Sequence, residues 1–161
     1  MLIEVLDKNA KPIGALDEKD VHSQELFHKR VLLLAYDKEK RICLVRYNNS
    51  NAWDFVVNEH VPAFKSIEEV VVDSFKKRFG TFISPKLLIK SYLDSKTKEF
   101  ITVFYTTNLK QLILIDYSII EDIAFVTRKD FNSAVTGFPQ FCNYYLKLCY
   151  KLGITFYGIG K

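Results

Sequence analysis

Cysteine and histidine are the residue types here that most often bind metals or act as nucleophiles, and the chain contains three of each. The cysteines are Cys43, Cys142 and Cys149. The histidines are His22, His28 and His60. The cysteines form no CxxC motif, and no two histidines have the i, i+4 spacing that places two ligands on one helix face. We therefore interpret the cysteines as buried free thiols and the histidines as hydrogen-bonding structural residues, with metal ligation as the alternative.

Length and composition indicate one globular domain over residues 1–161, because 48% of the residues are hydrophobic and 26% are charged. The net charge of +4 is not gathered into an arginine-rich tract, so nucleic acid is not an expected partner. No apolar run approaches the roughly 18 to 20 residues of a membrane-spanning helix. The acidic start, Met1 to Glu4, does not resemble a signal peptide, so we expect a soluble cytoplasmic protein without a membrane partner.

Alternating and β-branched runs predict the strands. They cover residues 3–6, 31–36, 42–47, 53–57, 86–92 and 100–106, with further strands at Ile113 and 123–126. The charged turn at 37–40 predicts that 31–36 and 42–47 form a hairpin at the centre of the sheet.

A change to a period of 3.6 residues predicts a helix over 66–78. Ser66 is expected to cap its N-terminus with Glu69 as the capping-box partner, and Gly80 is expected to end it. A second helix is predicted over 140–152. Strands and helices that alternate in this order predict a mixed sheet packed between helices.

Several segments, taken in order, resemble Nudix proteins of the isopentenyl-diphosphate-isomerase-like branch. DVHSQELFHKRV (20–31) is similar to their "VH…GLxHRAV" segment, and ICLVR (42–46) is similar to "LLLQR". WD (53–54) with EHV (59–61) is similar to "WD…GHV", and 120–126 is similar to the strand before the last helix. The resemblance covers most of the chain and implies an α/β fold, a Nudix-like α/β/α sandwich with a mixed central sheet and a C-terminal helix.

The Nudix box itself, G-x5-E-x7-R-E-U-x-E-E-x-G-U, is altered in this chain. Its carboxylates normally hold Mg²⁺ against a substrate diphosphate, since that ion prefers oxygen ligands. An ungapped alignment ending at Gly80 places Glu59 at the first glycine of the box and Lys65 at its first glutamate. The Arg-Glu pair is replaced by Asp73-Ser74, and the Glu-Glu pair is replaced by Lys77-Arg78. None of the usual metal ligands remains, so the resemblance implies impaired catalysis and no bound cofactor.

The isomerase branch also uses a cysteine before its histidine-containing loop, together with histidine-rich metal ligation. Asn58 stands near the place of that cysteine. His22 and His28 match motif positions of the branch, and His60 matches the histidine of "GHV".

The first functional hypothesis is a protein that binds a small anionic ligand of the diphosphate type, such as a nucleoside diphosphate derivative. Lys77 and Arg78 replace acids of the box and could bind phosphate oxygens directly, although ordinary surface charge is the alternative. Arg46 resembles the substrate-side arginine of the family, with a structural salt bridge as the alternative. Trp53 could stack on a base or sugar, or lie in the core. His60 completes the candidate ligand-binding set.

The second hypothesis is an active diphosphohydrolase that uses relocated carboxylates and Mg²⁺. The catalytic candidates are Glu59, Glu99 and Glu121, and the metal-ligand candidates are Glu68, Glu69 and Asp73. Glu69 and Asp73 lie about 140° and about 100° around the predicted helix from Ser74, so they do not share its face.

The third hypothesis is an interaction module. The aromatic segments 138–145 and 154–157 contain more rings than one helix needs for its own burial, so some of them could form a homodimer or partner surface. Packing into the core is the alternative.

Overall fold

The computed structural model describes residues 1–110 and 114–159. Its strands are β1 (Leu2–Leu6), β2 (Pro12–Asp17), β3 (His28–Asp37), β4 (Ile42–Tyr47), β5 (Trp53–Phe55), β6 (Val57–His60), β7 (Lys86–Asp94), β8 (Glu99–Leu109) and β9 (Ile120–Val126). Its α-helices are α1 (Glu18–Ser23), α2 (Ile67–Phe79), α3 (Arg128–Gly137) and α4 (Tyr144–Lys151). A 3₁₀ turn, Pro139–Phe141, precedes α4.

The main sheet is mixed and has seven strands, while β1 and β2 form a separate antiparallel hairpin. Its hydrogen-bonded order is β5-β4-β3-β8-β7, and β6 and β9 pair with β3 and β4 respectively. β3 and β8 run parallel, whereas the other pairs in this sheet are antiparallel. The predicted mixed sheet is therefore confirmed.

Both faces of this sheet are covered, which explains why β3 is a continuous apolar run. Leu32 and Leu34 pack in one buried cluster with Phe131 of α3 and Leu146 of α4. Their neighbours along β3, including Leu33, pack in a second cluster with residues of α2. The chain is thus an α/β/α sandwich, as the sequence predicts.

The predicted hairpin between β3 and β4 is shorter than expected. Their register contains the single pair Tyr36–Ile42, after which the two strands diverge. β3 continues beside β6 and β8, and β4 continues beside β5 and β9. The predicted strand 53–57 is likewise divided at Val56 into β5 and β6, which pair with different strands.

The C-terminal prediction is partly right, because helix 140–152 consists of the 3₁₀ turn followed by α4. The helices α1 and α3 were not predicted. The predicted strand at Ile113 lies outside the described residues. All three cysteines are buried free thiols, as expected. Within the described residues, no helix is long and apolar enough to span a membrane.

α2 begins and ends as its sequence predicts. The Ser66 side chain accepts a hydrogen bond from the Glu69 backbone, and the Glu69 side chain accepts one from the Ser66 backbone. Gly80 ends the helix in the left-handed conformation, with φ of 69°. These capping bonds define the two ends of the helix.

Gly80→Ala is expected to lower the free energy of unfolding by about 1–3 kcal/mol. An added Cβ would meet the Leu114 Cβ at 2.6 Å, on a backbone that already disfavours side chains. Gly137→Ala is the matched control, because no atom lies within 4 Å of its added Cβ and its φ is not left-handed. Urea unfolding of both variants measures the difference, and equal stabilities would contradict the expectation.

Candidate metal centre

The three histidines of the chain meet at one place although they are far apart in sequence. One ligand atom from each of His22, His28 and His60 lies within 4.8 Å of the others, and the ring centroids are 4.7–5.0 Å apart. Within the described part of the chain, these histidines are the one group of at least three His, Cys, Asp or Glu side chains close enough together to hold a metal ion. Sequence spacing did not reveal the group, since each histidine comes from a different element.

The register of the sheet brings two of these histidines beside a glutamate. His28 begins β3 and lies opposite Glu99, the first residue of β8, in the parallel pair. His60 ends β6 and lies opposite Arg30 in the antiparallel pair. His22 reaches the same place from the last turn of α1. Tertiary pairing, rather than any local motif, therefore assembles the site.

Hydrogen bonds orient two of the rings with their Nε2 atoms toward Glu99. His28 Nδ1 donates to the Leu26 carbonyl oxygen at 2.8 Å, and His60 Nδ1 donates to Glu18 Oε1 at 2.7 Å. The two Nε2 atoms lie 3.4 and 3.2 Å from Glu99 Oε2. Metal-binding histidines are commonly oriented in this way, by a bond from the second nitrogen to a carbonyl or carboxylate.

His28 Nε2 provides a direct test of fit for a metal. The side chain is 1% exposed, and this nitrogen has no hydrogen-bond partner among the described residues. Its lone pair faces the other members of the group, so a bound cation would satisfy a buried acceptor. Three imidazoles and one carboxylate form a donor set that suits Zn²⁺ and related transition metals. The four donor side chains therefore fit such an ion, while two of them, His60 and Glu99, accept hydrogen bonds from Arg30 in this structure.

Glu99 is the buried acid of the site, with a side chain 1% exposed. Burial raises the pKa of its carboxyl, but the adjacent His28 and His60 side chains, the charge of Arg30 and the hydroxyl of Tyr145 together outweigh burial and hold the pKa well below its usual value. The Tyr145 hydroxyl also donates to this carboxylate. Glu99 therefore stays ionised and available to a cation.

A second buried acid supports the strand that carries His60. Asp54 accepts hydrogen bonds from the Asn58 side chain at 3.0 and 3.2 Å and from the Phe55 backbone at 2.7 Å. Burial raises the pKa of Asp54 to about 6, although these hydrogen bonds oppose the shift. Asn58, near the position of the isomerase cysteine, is thus held toward Arg30.

A polar cavity of about 260 Å³ adjoins the histidines. Its lining includes His22, His28, Arg30, Lys96, Lys98 and Tyr145. The lining also includes Glu25 and Glu99, so its three cations exceed its two carboxylates by one charge. Together with a bound metal ion, this positive excess would complement an anion that carries several oxygens.

On the face of α2 that the resemblance aligns with a Nudix box, Glu59 bonds to two side chains, while Arg78 Nε and Nη1 have no hydrogen-bond partner among the described residues. Ser74 Oγ donates to Glu59 Oε2 at 2.5 Å, and Arg78 donates to the other Glu59 oxygen. Arg78 also packs over Tyr47, with its guanidinium carbon 5.2 Å from the ring centroid. Lys77 is exposed. Glu59 thus neutralises Arg78, and the two predicted phosphate-binding cations are not directed to one site.

The predicted metal ligands on α2 are not grouped for ligation. Glu68, Glu69 and Asp73 are all exposed, and Glu69 is occupied in the capping box. Among the described residues, these three acids therefore form no group of potential metal ligands on the helix.

The remaining predicted residues lie together on another part of the sheet. Arg46 faces Trp53 across β4 and β5, with its guanidinium carbon 6.0 Å from the ring centroid. Its Nη2 lies 3.9 Å from Glu121 and 3.8 Å from Asp122, both half exposed. Trp53 lines a separate apolar cavity of about 260 Å³ between the sheet and α3 and α4. Of the predicted site residues, His60 and Glu99 belong to the histidine site.

Sequence reasoning missed Arg30, Tyr145, Lys96 and Lys98 as members of the site. The motif positions of His22, His28 and His60 in the isomerase-like resemblance were the signal that could have grouped the histidines. Phe138, Phe141 and Tyr157 are exposed near the C-terminus. The homodimer surface expected there stays a prediction.

No family model and no curated protein matches the chain. Solved structures do match. A protein from Deinococcus radiodurans has a TM-score of 0.78 at 14% identity, covering 93% of this chain and 99% of that one. An ADP-ribose pyrophosphatase from Streptococcus suis has a TM-score of 0.59 at 14% identity, covering 83% and 92%. A MutT protein from Methanosarcina mazei has a TM-score of 0.56 at 14% identity, covering 78% and 91%. These likenesses establish a Nudix-like fold.

Proposed function

We propose that this Nudix-fold chain binds a small anionic ligand of the diphosphate type beside a transition-metal ion, and that it lacks the Mg²⁺-dependent catalysis of an intact Nudix box. His22, His28, His60 and Glu99 would hold the ion. The observation that supports this most directly is the convergence of the three histidines, two of which are oriented by hydrogen bonds with Nε2 near Glu99. We depart here from the sequence expectation that no metal is bound.

The ligand class follows from the charges around the cavity. A metal ion held by neutral histidines and one carboxylate keeps a net positive charge and attracts anions. Lys96 and Lys98 line the same cavity and add cationic donors that suit phosphate oxygens. The name of one structural neighbour, the ADP-ribose pyrophosphatase, agrees with a diphosphate-type ligand.

An active metal-dependent diphosphohydrolase is the second candidate. One observation favours it: Glu99, a candidate for a relocated ligand, lies at the histidine group rather than alone. In that case the histidine-bound metal, which can act as a Lewis acid, would replace the ion of the box. The two candidates differ in turnover and not in the place where the ligand binds.

The test is a calorimetric titration of the metal-stripped protein with Zn²⁺, followed by pyrophosphate. We expect one Zn²⁺ per chain, and pyrophosphate binding that requires Zn²⁺. ADP-ribose is then incubated with the protein plus Mg²⁺ or Zn²⁺, and no hydrolysis is expected with either. Hydrolysis with Zn²⁺ alone would favour the second candidate, and hydrolysis with Mg²⁺ alone would contradict the loss of the box. A protein that binds no metal would refute the proposed site.

A further inference from the structure

Arg30 is held at the centre of the histidine site by bonds from three guanidinium nitrogens. Nε donates to Glu99, Nη1 lies 2.6 Å from Asn58 Oδ1, and Nη2 lies 2.5 Å from His60 Nε2. The guanidinium carbon also lies 4.4 Å from the centroid of the Tyr145 ring. The side chain is only 12% exposed. Arg30 is therefore a buried cation in a fixed place.

These bonds use the same lone pairs that a metal ion would need. His60 Nδ1 carries its proton toward Glu18, so Nε2 is the only nitrogen of that ring with a lone pair to offer. Arg30 Nη2 donates to that nitrogen. Glu99 Oε2, the oxygen nearest to both His28 and His60, accepts from Arg30 Nε.

An entering ion must displace the hydrogen bonds from Arg30 to His60 and to Glu99, and charge repulsion from the guanidinium opposes it as well. A divalent ion bound to Glu99 and His60 would lie within a few ångströms of the guanidinium, where like charges repel strongly in a buried site. Arg30 already neutralises Glu99, so an entering ion gains less from that carboxylate while the arginine remains.

We propose that Arg30 is an internal competitor of the metal, occupying the position of the ion in the metal-free protein and turning into the adjoining cavity when the ion binds. This inference rests on the proposed metal site. Arg30 lines that cavity together with Lys96 and Lys98, so the displaced guanidinium becomes a third cation there. An anion in the cavity gives it a new partner, and metal binding and anion binding are therefore mutually favourable.

The test compares Arg30→Met and Arg30→Gln with the wild type in calorimetric Zn²⁺ titrations. Both variants remove the charge, and the glutamine retains an amide donor for Glu99. Each should bind Zn²⁺ at least tenfold more tightly than the wild type. Arg41→Met is the matched control, because it removes an arginine that pairs with Asp37 at the other end of β3, away from the cavity, and it should change Zn²⁺ affinity less than threefold.

If loss of Arg30 destabilises the metal-free protein, thermal unfolding with and without Zn²⁺ still measures how strongly the ion binds each variant. Zn²⁺ should raise the melting temperature of each Arg30 variant by more than it raises that of the wild type. Zn²⁺ binding by the variants alone would mean that Arg30 excludes the ion from the wild type, which would overturn the proposed displacement. Equal Zn²⁺ affinity in the wild type and both variants would overturn it, whereas no binding by any of them would refute the underlying metal site instead.

The coupling is tested with sulfate, an anion that ligates zinc poorly. Sulfate should raise the Zn²⁺ affinity of the wild type severalfold and that of Arg30→Met much less. An equal effect of sulfate on both proteins would show that Arg30 does not carry the coupling.

Discussion

His28→Ala is expected to reduce Zn²⁺ affinity about a hundredfold or more, because it removes the ligand with the most rigid surroundings. The ring is buried, its Nδ1 is fixed to the Leu26 carbonyl, and its Nε2 has no hydrogen-bond partner in the described part of the chain. Calorimetry measures the affinity, and the absorption spectrum of bound Co²⁺ reports the ligand set independently. The variant spectrum should show fewer nitrogen ligands or no specific binding.

All three histidines belong to the site, so the control must be a different ligand type. Glu121→Gln removes an exposed carboxylate on β9 that faces Arg46 rather than the cavity. It should leave Zn²⁺ affinity unchanged. If His28→Ala kept wild-type affinity and the wild-type Co²⁺ spectrum, the histidine group would not be the metal site.

Helices and strands whose ends and buried faces are set by neighbouring residues could be predicted from the sequence. α2 is an example, since its capping box, apolar stripe and terminal Gly80 all lie within one segment, and the helix follows that prediction closely. β4 is another, because its apolar run has clear polar boundaries. α1 has one buried residue, Val21, and therefore presented no periodic pattern to detect.

Strand partners could not be predicted in the same way. The turn at 37–40 correctly indicated that β3 and β4 are joined, but nothing local indicated that they separate after Tyr36 and Ile42. The long partner of β3 is β8, which lies much later in the chain. Pairing of this kind is decided by the packing of the whole sheet.

The site depends on that pairing. His28, His60 and Glu99 are neighbours because β3 lies between β6 and β8. Arg30 and Glu99 are paired charges that show no relationship in sequence. The ends of α2 were predictable because their capping signals are local, whereas the alignment of a Nudix box with this helix stays a prediction. The histidine centre of our proposal was not predictable, since it depends on register.

Glu99→Gln is expected to lower the free energy of unfolding of the metal-free protein by about 3–5 kcal/mol, the usual cost of breaking a buried ion pair from one side. Glutamine preserves the size of the side chain but leaves the Arg30 guanidinium buried without its counter-charge. The Tyr145 hydroxyl also loses an ionised acceptor. Urea unfolding in the presence of EDTA measures the change, and Glu121→Gln, at an exposed ion pair, should change stability by less than about 0.5 kcal/mol.

The pH dependence of stability distinguishes this ion pair from a simple packing defect. Because the folded protein holds the pKa of Glu99 below its unfolded value, the unfolded chain binds the proton first as pH falls. The contribution of Glu99 is therefore fully present above the unfolded pKa of about 4.5 and decreases as pH falls below it. Wild-type stability should fall more steeply with acid than that of Glu99→Gln, so the two curves should converge at low pH. Parallel curves would mean that the carboxylate charge does not stabilise the fold and that the loss in the variant is steric.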